Sequence, residues 1–71
     1  MTQNTMVTIQ LNGRPHTLPA DGSVADLLQQ LGAKRPLAVE VNEQVVPRTL
    51  HAQTRLQQGD RVELVTLVGG G

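Results

Sequence analysis

Between Ser23 and Pro36 lies the one stretch of this chain with a helical repeat. Val24, Leu27, Leu28 and Leu31 recur at i, i+3, i+4 and i+7, which puts all four on one apolar stripe. Ser23 precedes the stripe as an N-cap, and Asp26, three positions on, completes a capping-box pattern. Gly32 can take the left-handed conformation that ends a helix, and Pro36 prevents its resumption. A lone amphipathic helix must bury its stripe on some other surface. The flanking segments predict that this surface is a sheet.

Upstream, Val7, Ile9 and Leu11 alternate with Thr8, Gln10 and Asn12, the period of a half-buried strand. Asn12-Gly13 is a hairpin signal, because both residues tolerate positive φ. A second strand follows from Arg14 to Pro19, with His16 and Leu18 on one face. Pro15 has no ladder donor, so this strand should lie along or begin at an edge. Downstream of the helix, Val39 and Val41 alternate with Ala38, Glu40 and Asn42 as a third strand. A turn over Asn42 to Gln44 leads to a short strand at Val45-Val46, stopped by Pro47. Leu50 to Gln57 is irregular, with Leu50 and Leu56 expected to plug the end of the core. Gln58-Gly59-Asp60 then launches a last strand, Arg61 to Leu67. Hairpin, helix, strand, short strand and final strand, with the last joining in the middle, make a mixed sheet with one helix across its concave face. This is the α+β layout of the β-grasp, or ubiquitin-like, fold: four to five strands packed on one main helix. The domain is expected over residues 6–67, with a frayed extension at 1–5 and a flexible glycine tail at 68–71.

Seventy-one residues leave no room for a second core, and without Phe, Tyr or Trp the interior must be Val, Leu, Ile and Ala. Six basic and six acidic residues cancel, which argues against a nucleic-acid or anionic-membrane binder. The absence of cysteine excludes a disulfide scaffold, a thiolate metal site and a Cys nucleophile, so any sulfur chemistry cannot use a side-chain thiol. There is no signal peptide and no apolar run long enough to span a membrane, so the expected compartment is the cytoplasm. His16 and His51 lie far apart without ligand spacing and read as ordinary strand and loop residues rather than metal ligands. The only serine, Ser23, is accounted for as a cap, and no phosphate-loop lysine motif is present. Nothing in the chain supports autonomous catalysis, and no bound cofactor or metal is expected.

The chemistry sits at the other end. Gly69-Gly70-Gly71 follow directly on the apolar run Val62-Glu63-Leu64-Val65-Thr66-Leu67-Val68. Glycine is the costliest residue to order, so such an ending adds nothing to stability. It does provide a carboxylate on a slim leash that can thread into another protein's active site. A frayed or engineered end would look the same, and the tail alone does not separate the two. If Val62 and Leu64 face the helix, alternation sends Glu63, Val65 and Leu67 to the opposite face. Apolar residues there, next to Val68 and the tail, suggest a docking surface, although β-propensity alone also places Val and Leu in strands. Arg48, after Val46-Pro47, reads as loop chemistry or as an exposed partner for an acid.

Taken in order, Leu11-Asn12-Gly13, Val24 with Leu27-Leu28 and Leu31, Ala38-Val39-Glu40-Val41-Asn42, Val46-Pro47-Arg48, Gly59-Asp60-Arg61-Val62-Glu63 and the glycine terminus resemble the sulfur carriers of thiamine biosynthesis, the ThiS family. The resemblance covers about Met6 to Gly71. It implies that the terminal diglycine, Gly70-Gly71, is the working group, with Gly69 as the small residue before it. It implies three partners: a ThiF-like adenylyltransferase of the ubiquitin-activating type, a sulfur donor such as a cysteine desulfurase, and a ThiG-like thiazole synthase. The first would use ATP to adenylate the carboxylate, which is then converted to a thiocarboxylate. The small, MoaD-like subunit of molybdopterin synthase resembles the chain in fold and diglycine ending, but such proteins are longer, with aromatics and a proline before the tail. A ubiquitin-like binding module with an inert or conjugated carboxylate is the reading from another class.

Overall fold

The computed structural model describes residues 5–34 and 37–66. Leu67, Val68, Gly69, Gly70 and Gly71, the helix-stopping Pro36 and all but Thr5 of the expected N-terminal extension lie outside the described residues.

The chain opens with a hairpin of β1 (Met6–Leu11) and β2 (Arg14–Pro19). Asn12 and Gly13 close it at φ 49° and 84°, the left-handed pair of a two-residue type I′ turn. In this register the backbone groups of Arg14, His16 and Leu18 face β1, so Pro15 and Pro19 turn their missing donors to the outside. That is why a strand with two prolines survives, and it survives only as an edge.

Helix α1 (Val24–Gln30) begins with the expected capping box. The Asp26 amide donates to Ser23 Oγ at 3.1 Å, and the Ser23 amide donates to Asp26 Oδ2 at 3.0 Å. It ends in a Schellman arrangement: Gly32 at φ 67°, its N–H on the Gln29 carbonyl, and the Ala33 N–H on the Leu28 carbonyl. The helix enters through a tight approach at Gly22, where a Cβ would stand 2.8 Å from Leu18 Cδ1 and 3.0 Å from the Pro19 carbonyl oxygen.

After the helix come β3 (Leu37–Val41), β4 (Gln44–Val45), a 3₁₀ turn at Arg48–Leu50 and β5 (Arg61–Thr66). The sheet order is β2-β1-β5-β3-β4, with β5 parallel to β1 and antiparallel to β3. The last strand thus fills the centre, as the β-grasp layout requires. The short strand sits one residue earlier than the sequence suggests, because Val46 keeps only a single ladder bond, from its N–H to the Val39 carbonyl, before Pro47.

Val7, Ile9, Leu18, Val24, Leu27, Val39, Leu56 and Val62 form the buried core. Two expected core positions are corrected. Leu31, the last of the helical stripe, is 42% exposed, because the helical bonding stops at the Schellman turn before the stripe can complete another turn over the sheet. Leu50 is 44% exposed, whereas Leu56 plugs the core as expected. The 3₁₀ turn is anchored through His51 instead: its Nε2–H donates to the Val46 carbonyl, and its own carbonyl accepts from the Ala25 amide. That anchoring leaves Leu50 on the outer side.

Candidate functional site

The described part of the site is the exit of β5, the strand from which the glycine tail departs. Alternation holds here: Val62 is buried and Leu64 packs against the core, while Glu63 and Val65 point to the outer face. Val65 is 50% exposed, where the sequence placed it. On that face it lies beside Ala38, with Glu63 directly opposite Glu40 and Arg61 opposite Gln10. Arg48 is exposed in the turn after β4, on the far side of β3 from β5, so the fold does not bring it onto the exit strand. Leu67, Val68 and Gly69 to Gly71 continue beyond Thr66, outside the described residues.

Two residues read from the sequence as turn formers prove to clamp β5. Asn12 donates its backbone N–H to the Val62 carbonyl at 2.9 Å. Its side-chain oxygen accepts from the Leu64 amide at 2.8 Å, and its side-chain nitrogen donates to the Leu64 carbonyl at 3.4 Å. The carboxamide therefore stands in for one more residue of β1 after the chain has turned away. Asn42, on the other flank, accepts from the Arg61 amide at 2.9 Å and donates to Asp60 Oδ1 at 3.0 Å. Both asparagines occupy the first position of a left-handed two-residue turn, Asn12-Gly13 and Asn42-Glu43, the latter at φ 52° and 70°. The signal available in the sequence was the repeat itself, an asparagine following the last apolar residue of each of the two strands that flank β5. The sequence reading used only its turn propensity.

His16 Nε2 lies 2.9 Å from Gln30 Oε1, tying β2 to the helix. Among the described residues, no group of three His, Cys, Asp or Glu side chains is placed to hold a metal ion, and no helix is long and apolar enough to cross a membrane. What this geometry does is hold the central strand on both sides, ahead of the glycine segment that follows.

A small α+β domain of this topology is a ubiquitin-like β-grasp protein. Residues 9–71 match the family model described as the ThiS family, and the chain belongs to that family of sulfur carriers of thiamine biosynthesis. The thiamine biosynthesis protein ThiS of Geobacter metallireducens superposes with a TM-score of 0.79 at 30% identity, covering 92% of this chain and 100% of that one. The sulfur carrier protein ThiS of Escherichia coli is 34% identical over 64 residues, 89% of this chain and 97% of that protein. A thiazole synthase of Magnetococcus marinus is 42% identical over 64 residues, 89% of this chain but 20% of that protein. The chain spans about a fifth of the length of the curated thiazole synthases it matches.

Proposed function

We propose that the Gly71 carboxylate is the group that carries sulfur. A carboxylate is a poor electrophile until one of its oxygens becomes a good leaving group. An adenylating partner of the ubiquitin-activating type therefore couples the carboxylate to ATP, releasing pyrophosphate and forming an acyl adenylate. A persulfide on a donor such as a cysteine desulfurase then displaces AMP to give an acyl disulfide. A thiol reductant cleaves its S–S bond, leaving a thiocarboxylate that thiazole synthase consumes. Because the sulfur rides on the main chain, the lack of cysteine is no obstacle. We place this ATP-dependent activation in the cytoplasm. Gly70 and Gly69 keep the end narrow, and Val65, Leu67 and Val68 offer apolar surface for docking, with Arg48 as a more distant contact.

The observation that carries this reading is that the family match runs through residue 71 and so includes the diglycine. The presence of a similar segment within thiazole synthase polypeptides supports thiazole synthase as the acceptor of the sulfur. The test is ATP/pyrophosphate exchange by the adenylating enzyme, with and without this protein. Exchange that depends on the parent and is lost on deleting Gly71 supports the reading. Exchange that persists without Gly71 refutes it.

A further inference from the structure

The sheet has three open flanks, and they differ in chemistry. On the outside of β2, the backbone of Pro15, Thr17 and Pro19 faces solvent, and two of the three lack an N–H. Strand β4 is two residues long and is followed by Pro47. Both edges are thereby blunted against strand addition. The third flank lies in the middle of the sheet, where β5 runs on after β1 has turned back at Asn12-Gly13. Val62 and Leu64 direct their backbone groups to the β1 side, where Asn12 takes the Val62 carbonyl and both groups of Leu64. By the two-residue period, Thr66 turns its N–H and C=O the same way, and among the described residues nothing bonds to either.

A groove of about 350 Å³ opens beside this flank, under the end of the helix. Leu31, Leu37 and Leu64 line it with Asn12 and Thr66, and Lys34 is the one charged residue on its wall among those described. The exposure of Leu31 thus belongs to a shaped apolar surface with an unpaired strand edge and a cation along it.

We propose that thiazole synthase lays an extended apolar segment, bearing an acidic side chain opposite Lys34, along this flank of β5. Its main chain pairs with Thr66, and an inward side chain fills the groove. This rests on the reading of Gly71 as the sulfur-carrying end. The length of chain beyond the described residues argues for this occupant. Residues 67 to 71 number five and span at most about 16 to 18 Å, so an enzyme holding the Gly71 carboxylate brings its surface to Thr66. Pairing there fixes the start of the leash from both sides, by β3 on one flank and by the enzyme on the other. Main-chain bonds supply the affinity, and the groove and Lys34 supply the selectivity.

The test is amide hydrogen exchange on the parent, free and bound to the thiazole synthase of the same organism, alongside Thr66→Pro and Lys34→Glu. Thr66 should exchange fast when free and slowly in the complex. Thr66→Pro removes a donor that β3 does not use, so it should leave the melting temperature unchanged while weakening binding roughly tenfold or more. Lys34→Glu should weaken binding and reverse its salt dependence. A Thr66 amide that stays fast in the complex, or Thr66→Pro binding like the parent, overturns the proposal. Protection already present in the free monomer would assign the flank to the chain's own tail, and protection rising with carrier concentration alone would assign it to a second copy; either overturns it too. Thiocarboxylate formation on the same samples separates the two readings. Normal formation without Thr66 protection removes the strand pairing and leaves the carrier function standing, whereas no formation on the parent removes both.

Discussion

Asn12→Gly isolates the clamp on β5 from the turn that carries it. Glycine accepts φ 49° without strain, so the hairpin keeps its shape while both side-chain bonds to Leu64 vanish. The bond at 2.8 Å has good geometry and the one at 3.4 Å is long, and both lie at the surface where water can replace the lost partner. Net values of about 0.5 to 1.5 kcal/mol per bond therefore apply toward their lower end, giving roughly 1 to 2 kcal/mol in all. The added freedom of glycine in the unfolded chain contributes up to about 1 kcal/mol more. For a domain of this size each kcal/mol lowers Tm by about 4 to 8 °C, so the variant should melt roughly 4 to 24 °C below the parent. The assay is a thermal melt combined with native-state hydrogen exchange. The Leu64 amide should lose more protection than the overall drop in stability explains, and the Val62 and Val39 amides should follow the overall drop alone. An unchanged Tm with unchanged Leu64 exchange would refute the clamp.

Four further outcomes follow from the packing. Leu27→Ala should cost about 2 to 5 kcal/mol by chemical denaturation, since Leu27 is fully buried between helix and sheet. Val65→Asp should melt like the parent yet weaken capture of the adenylating enzyme or thiazole synthase, because Val65 is already half in solvent; an equal loss of stability would remove it from the docking face. Gly22→Ala should lower Tm, because the new methyl meets the buried Leu18 side chain and the Pro19 carbonyl oxygen. Glu43→Gly should raise Tm, because φ 70° costs a side-chain residue about 1 to 2 kcal/mol and the exposed ion pair with Arg61 that it loses contributes little.

The elements with strong local signals were legible. The capping box at Ser23, the left-handed stop at Gly32 and the Asn12-Gly13 hairpin each depend on a few adjacent residues, and each sits where the pattern put it. Packing one helix across a sheet followed from burying the helical stripe, whereas the central place of the last strand was read as part of the β-grasp layout. What escaped was non-local. Nothing near Asn12 in sequence indicates that its carboxamide will meet a strand fifty-two positions away. The turn over Asn42 to Gln44 was legible, but not that Glu43 takes φ 70° within it, because glutamate gives no such signal. Leu31 was assigned to the core by the helical repeat and Leu50 by its hydrophobicity, but where the helix ends and how His51 anchors its turn decide their exposure. At the site, the outward face of Val65 was legible from alternation, while the open flank at Thr66 depends on where β1 turns back.

Intact-mass analysis tests the carrier function most directly. The parent is incubated with the adenylating enzyme, ATP and a sulfur donor, beside one variant lacking Gly71 and one carrying a C-terminal tag. Deletion withdraws the carboxyl carbon by about 3.3 to 3.6 Å, far more than reaction geometry tolerates, and a tag converts the carboxylate to an amide that cannot be adenylated. All three proteins should melt alike, with only the parent gaining the mass difference of sulfur replacing oxygen. Sulfur incorporation into either variant at the parent's rate would contradict the assignment of the Gly71 carboxylate as the carrier.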